Sequence, residues 1–139
     1  MSRFIVTLTA LTWSTAAVPV SVEPTKTETV SPLMEQDLPN VPGKSFTAVI
    51  VTFPPGGRAA PHRHGQAFVF AYVLEGSVRS QLDNEPAGTY ATGQSWSERP
   101  GAHHIVTENV SPSMPAKLLV VFISDKGEPL KSNDKTSPD

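Results

Sequence analysis

The stretch GGRAAPHRHGQAFVFAYVLEG at residues 56–76 decides the fold, because it sets a His-x-His pair between a breaker-rich turn and an apolar strand. The breakers are residues 54–57 (PPGG), which end the apolar run before them. His62 and His64 lie two residues apart, so on a strand they point to one face, about 6.6 Å apart along the chain. Two such imidazoles can converge on one ion with bonds of about 2.1 Å. The pair predicts half of a metal site.

Short β-rich segments separated by turn residues make up the middle of the chain. The 14 prolines and 9 glycines favour many turns, and no stretch keeps an apolar period of 3.6 residues. This pattern predicts an all-β antiparallel sandwich or closed barrel. The predicted strands are 46–53, 67–74, 77–82, 89–92, 94–98, 103–107 and 116–124.

Composition limits the classes of function. The 139 residues suit one domain, and the net charge of −2 gives no support for binding to nucleic acid or an anionic membrane surface. The chain has no cysteine, which excludes disulfides, thiolate nucleophiles and cysteine zinc sites. Any metal must therefore bind to histidine, carboxylate, amide or water.

The first residues predict a secretory signal peptide over residues 1–20. Arg3 precedes an apolar run at 4–13, and small residues follow at 14–17. The run is too short to span a bilayer. We expect a secreted or periplasmic protein, or a cytoplasmic one if this run is instead a first β-strand.

The rest of the chain divides by composition. Residues 34–41 could tie down an edge of the barrel within an otherwise loose lead-in. The prediction is an extended N-terminal segment at 21–44, a barrel at 45–125 and a flexible tail at 126–139.

The other two histidines lie in GQSWSERPGAHHIVTEN at residues 93–109. Together the two stretches resemble the motifs of the cupin superfamily, G-x5-H-x-H-x3,4-E-x6-G and G-x5-P-x-G-x2-H-x3-N. The matching residues are Gly56, His62, His64, Gly76, Gly93, Gly101 and His104. The resemblance covers about residues 45–125. It implies a jelly-roll barrel, or double-stranded β-helix, with one divalent metal ion on His62, His64 and His104.

The chain departs from these motifs at three places. Val69 stands where the family has a ligand glutamate, Arg99 replaces the proline, and Glu108 replaces the asparagine. With valine at 69, we expect no protein carboxylate to balance the ion, so an anionic co-ligand is favoured. Gln66 could reach the ion if Gly65 turns the chain, or else contact a ligand histidine or the substrate.

Cupins with three histidine ligands include thiol and diketone dioxygenases. The resemblance therefore implies a metal-dependent oxidoreductase, dioxygenase-like, acting on a small aromatic, enolisable or polyketide-type compound. Fe(II) is the favoured ion, with Mn, Ni, Cu or Zn as alternatives. Two other functions stay open: a cupin that binds a small ligand without turnover, and a metal-free structural cupin whose histidines are hydrogen-bonded core residues.

Strand alternation assigns the remaining candidates. Val69 and Ala71 should face inward, whereas Phe68 and Phe70 face outward against another sheet or a second subunit, which favours a homodimer. Each pocket candidate also has a plain alternative as a core or surface residue. The predicted substrate-pocket residues are Val69, Ala71, Arg79, Gln81, Trp96 and His103.

Overall fold

Ten β-strands form two five-stranded antiparallel sheets in the computed structural model, which describes residues 27–135. The predicted signal peptide at 1–20 lies outside the described residues. The first sheet has the order β1-β2-β9-β4-β7 and the second the order β10-β3-β8-β5-β6. The strands are β1 Thr29–Asp37, β2 Lys44–Phe53, β3 His62–Arg63, β4 Phe68–Glu75, β5 Ser77–Leu82, β6 Gly88–Ala91, β7 Ser95–Glu98, β8 His103–Asn109, β9 Ala116–Asp125 and β10 Ser132–Asn133.

The core lies between the sheets and follows from strand alternation. On β9 every second side chain is buried, from Ala116 to Phe122, and on β4 Val69 and Ala71 are each 1% exposed. Phe53 of β2 adds the largest fully buried side chain. Burial of each large apolar side chain contributes about 1.5–3 kcal/mol. The predicted jelly-roll barrel and the inward orientation of Val69 and Ala71 are confirmed.

Gly76 makes the turn that joins the two sheets between β4 and β5. Its φ is +77°, and a Cβ there would lie 2.9 Å from the Pro115 carbonyl oxygen. Only glycine adopts this conformation in this space without strain. The chain can therefore leave β4 in one sheet and enter β5 in the other within one residue.

Both ends of the described chain pair with strands of the barrel. Within the lead-in, β1 pairs with β2 along most of its length, although every β1 side chain is exposed. Within the predicted flexible tail, β10 pairs with β3. Residues 34–37 of β1 lie at an edge of the barrel, within the stretch 34–41 that the sequence analysis places there. Hydrophobic patterning misses the first part of β1 and all of β10, because edge strands are held by backbone hydrogen bonds while their side chains remain in solvent. The described part of the tail is thus built onto the barrel.

Candidate metal centre

Three histidines from the second sheet meet in the interior. His62 of β3 is the direct cross-strand partner of His104 of β8, and His64 follows two residues after His62. The ring centroids lie 4.7 Å apart for His62 and His64 and 5.1 Å apart for His62 and His104. One nitrogen of each ring lies within 4.8 Å of the others. The structure brings together the trio that the sequence predicts.

Backbone carbonyls fix the orientation of two of these rings. The Nδ1–H of His62 donates to the Ala60 carbonyl at 2.7 Å, and that of His64 donates to the Leu130 carbonyl at 2.6 Å. A carbonyl can only accept, so each Nε2 carries a lone pair. These two Nε2 atoms lie 3.1 Å apart. The two lone pairs face each other across a gap that a cation would bridge. A hydrogen bond from Nδ1–H to a backbone carbonyl is typical of histidines that bind a metal through Nε2.

Burial keeps both imidazoles neutral. Burial lowers the pKa of His62 from 6.5 to about 4, although the hydrogen bond to the Ala60 carbonyl acts in the opposite direction. Burial also lowers the pKa of His64, although the Glu98 carboxylate raises it. At neutral pH, neither ring must release a proton before it can bind a metal ion.

His104 is held through its other nitrogen. Its Nε2 lies 2.8 Å from Ser80 Oγ and 2.9 Å from Thr107 Oγ1, and the residue is 2% exposed. Its buried Nδ1 has no hydrogen-bond partner within residues 27–135. Two hydroxyl groups thus fix the ring while one nitrogen faces the centre.

Glu98 brings a carboxylate to the same place from the first sheet. It is 3% exposed on β7, with Oε1 3.1 Å from His104 Nδ1 and Oε2 3.7 Å from His64 Nε2. The 3.1 Å contact between Glu98 Oε1 and His104 Nδ1 does not meet the geometry of a hydrogen bond, and His104 Nδ1 has no hydrogen-bond partner among the described residues. Trp96 Nε1–H donates to Oε1 at 3.2 Å, whereas the buried Oε2 has no hydrogen-bond partner in the described chain.

Opposing effects act on the pKa of the Glu98 carboxyl group. Burial alone would raise its pKa, but His104, His64 and the Trp96 donor outweigh burial and lower the pKa below its usual value. A protein carboxylate thus lies beside the three histidines, although the valine at 69 led us to expect none there. The missed signal was alternation within SWSE at 95–98, which places Glu98 on the buried face with Trp96.

The residues present fit a divalent metal ion. Ligands bound at about 2.1 Å lie about 3.0 Å apart in octahedral and about 3.4 Å apart in tetrahedral coordination. The 3.1 Å spacing between His62 Nε2 and His64 Nε2 falls in this range. Neutral imidazoles with a nearby carboxylate suit Fe, Mn, Zn, Ni or Cu.

A cavity of about 150 Å³ adjoins the three histidines. Ala71 and Trp96 line it, as predicted, whereas Val69 is buried in the core and does not. Glu28 and Lys131 also line it and form an ion pair with each other. The remaining wall is mostly apolar and includes Val49, Val51, Phe53, Leu118, Val120 and Phe122.

Two predicted pocket residues lie on the opposite face of β5. Arg79 pairs with Glu108 at 2.9 Å, and Gln81 donates to the Glu85 carbonyl at 3.2 Å. On β5 it is Val78, Ser80 and Leu82 that are buried, so alternation turns Arg79 and Gln81 away from the cavity. Their assignment to the pocket is wrong.

His103 and Gln66 also lie outside the cavity. His103 alternates with His104 along β8, and its Nε2 lies 2.8 Å from Asp134 Oδ2. Gly65 does turn the chain, with φ +58°, but Gln66 is left exposed and its backbone N–H donates to Glu128 Oε1. Neither residue lines the cavity beside the three histidines, where the sequence analysis places them.

Known proteins share this fold. The cupin domain of Cnp3 from Schizosaccharomyces pombe is 15% identical with a TM-score of 0.60. Oxalate oxidase in complex with the substrate analogue glycolate is 21% identical with a TM-score of 0.59. An uncharacterized conserved protein with a double-stranded β-helix domain from Klebsiella pneumoniae is 18% identical with a TM-score of 0.60. These matches cover 70%, 78% and 85% of this chain, respectively.

The chain spans 61% of the Cnp3 structure and 55% of the oxalate oxidase structure, but 90% of the Klebsiella protein. A search of curated proteins found no match. The cupin domain family matches residues 49–122, just over half of the sequence. A double-stranded β-helix with histidines converging between its sheets agrees with that match, and the chain belongs to the cupin family. Across residues 27–135, no helix is long and apolar enough to cross a membrane.

Proposed function

We propose that this cupin binds one divalent metal ion, with Fe(II) favoured, and acts as a dioxygenase-like oxidoreductase. The proposed substrate is a small aromatic, enolisable or polyketide-type compound. One observation carries the proposal: two neutral imidazoles direct their lone pairs at each other across 3.1 Å beside an apolar cavity. When bound, the ion would supply Lewis acidity and a place for O₂ to react.

The cavity sets the size of the substrate. Its volume of about 150 Å³ equals that of an engineered apolar cavity known to bind benzene. Phe122, Val120 and Val51 provide apolar walls, and Trp96 adds an aromatic face. These residues favour one ring, or a diketone of similar size, with its polar atom directed at the histidines.

The Glu28–Lys131 ion pair lines the same cavity and joins the two ends of the described chain. Its charges could orient a substrate with an anionic or carbonyl group. The apolar walls keep water from the reacting atoms, and the fixed imidazoles keep their lone pairs directed at one point.

Oxygen uptake tests the proposal. Fe(II)-loaded protein would be given catechol, pentane-2,4-dione and a monocyclic polyketide in an oxygen electrode. We expect uptake with at least one of these compounds. In the His64→Ala variant, bound iron and uptake should both fall at least about 100-fold, because His64 supplies one of the converging lone pairs.

The His103→Ala variant is the matched control, because His103 lies beside His104 but outside the cavity. It should retain iron and activity. Iron binding without uptake, together with protection by one of these compounds, would instead support the non-catalytic ligand-binding cupin. Failure to retain any of Fe, Mn, Ni, Cu or Zn would support the metal-free structural cupin.

We also propose that the protein forms a homodimer. Phe68, Phe70 and Leu74 alternate along the outer face of β4 and are 43%, 37% and 42% exposed. A row of large apolar side chains on one sheet face is typical of a surface that another molecule covers. A second copy of the chain would cover it with the same patch.

A further inference from the structure

We propose that Glu98 is a fourth protein ligand of the metal ion, supplied by β7 of the first sheet to three histidines of the second. This inference rests on the metal-binding part of the proposed function. It concerns a residue that neither the histidine pattern nor the histidine cluster itself includes. The ion would then join the two sheets of the barrel across the interior.

The distances around Glu98 match those expected of neighbouring ligands. Oε1 lies 3.1 Å from His104 Nδ1, and Oε2 lies 3.7 Å from His64 Nε2. Ligands at about 2.1 Å from one ion are separated by about 3.0–3.4 Å. The carboxylate therefore lies at ligand spacing from His104 and within about 0.3 Å of that spacing from His64.

The bonding around Glu98 is incomplete without a cation. Oε1 accepts only from Trp96 at 3.2 Å, and Oε2 has no hydrogen-bond partner among the described residues. The facing His104 Nδ1 also has none. Buried polar atoms are rarely left unpaired, so a carboxylate oxygen and an imidazole nitrogen that both lack partners point to a missing species between them.

The charge around the site leads to the same conclusion. Of the described residues lining the cavity, the charged ones besides Glu98 are Glu28 and Lys131, which pair with each other. His62 and His64 donate through Nδ1 to carbonyls and present lone pairs to the centre. A buried carboxylate facing lone pairs is costly unless a cation compensates it.

The strand register explains why a carboxylate at position 98 can reach the three histidines. Glu98 on β7 is the direct cross-strand partner of Val69 on β4. Directly opposed residues project to the same face with Cβ atoms about 4.5–5.5 Å apart. A carboxylate on either residue can thus reach the same part of the interior, and both side chains are almost fully buried.

A crystal structure of the full chain loaded with Mn(II) gives the direct test. We expect anomalous density for Mn(II) with a Glu98 oxygen at about 2.1 Å. A Mn(II) ion held by the histidines with both Glu98 oxygens beyond about 3 Å would overturn this inference and leave the proposed metal site intact. Absence of bound metal from the wild type after incubation with each of Mn, Fe, Ni, Cu and Zn would overturn both.

Mn(II) affinity of variants gives an independent test by equilibrium dialysis. Glu98→Gln keeps the shape but removes the charge, and we expect affinity to fall at least about 100-fold. The double variant Glu98→Ala with Val69→Glu moves the carboxylate across the strand pair and should recover most of that loss. Glu108→Gln, a change at a carboxylate paired with Arg79, should match the wild type.

Circular dichroism and thermal unfolding would show that each variant is folded. Unchanged affinity in folded Glu98→Gln would contradict the inference. So would failure of the folded double variant to bind better than Glu98→Ala alone. Activity enters none of these readouts, so a failure of the proposed dioxygenase-like activity would leave the ligand assignment standing.

Discussion

The buried imidazoles dominate the chemistry at the residue scale. His62 is 5% exposed, and its fixed Nδ1–H leaves Nε2 to receive any added proton or cation. Protonation would place a charge beside His64 and His104 in an apolar interior, which is why burial depresses the pKa of His62 to about 4. The same arrangement that favours a metal ion thus disfavours a proton.

We therefore expect the metal-free protein to lose stability as pH falls from 6.5 towards 4. In this range the unfolded chain takes up a proton at His62, whereas the folded chain does not, so acid favours unfolding. The loss from His62 should be about 3 kcal/mol in the free energy of unfolding between pH 7 and pH 4. Urea unfolding at several pH values measures it.

The His62→Gln variant is the control for this pH dependence, because glutamine does not titrate. The free energy of unfolding of His62→Gln should change less with pH than that of the wild type over the same range. The lowered pKa of Glu98 adds a further loss at lower pH, as its carboxylate becomes protonated in both variant and wild type. Parallel curves for the two proteins would contradict the assignment to His62.

At the element scale, the C-terminal segment supports the site although its own sequence is polar. Strand β10 pairs with β3, and the Leu130 carbonyl fixes His64. Asp134 accepts from His103 on β8, and its backbone N–H donates to the Pro61 carbonyl. The two-residue strand β3, which carries His62, is thus held on both edges, by β8 and by β10.

Deletion of residues 128–139 should lower Mn(II) affinity about 10–100-fold, because His64 loses the carbonyl that fixes its ring. The barrel itself should stay folded, since the buried core residues all lie between the start of β2 and the end of β9. Equilibrium dialysis and circular dichroism measure the two effects. Deletion of residues 136–139 is the matched control and should leave affinity unchanged. Equal affinity in both deletions would show that β10 does not position the site.

The parts of the site that sequence could predict are those encoded by local spacing. The two-residue period places His62 and His64 together, and the distance from Gly101 distinguishes His104 from His103. Glu98 and Leu130 were missed for physical reasons. The role of Glu98 depends on which strand lies opposite β4, and that of Leu130 is played by a backbone carbonyl, which no side-chain pattern encodes.

At the scale of the whole molecule, the two sheets supply different parts of the site. The second sheet supplies the three histidines, and the first supplies Glu98, Trp96 and most of the apolar wall of the cavity. Each sheet alone would expose the polar atoms that the other covers. The inner faces are therefore committed to the core and the site, and the outer faces remain open to a partner.

The outer face of β4 predicts the oligomeric state. We expect the protein to sediment as a dimer at micromolar concentration and Phe70→Lys to shift it to monomer, because a charge would be buried at the centre of the patch. Val110→Lys changes an apolar side chain that is 47% exposed beyond the end of β8, outside this patch, and should leave the dimer intact. Analytical ultracentrifugation measures all three proteins. A monomeric wild type would contradict the prediction. A dimer that survives Phe70→Lys would place the interface elsewhere, and the exposed apolar side chains of β4 would then need another partner.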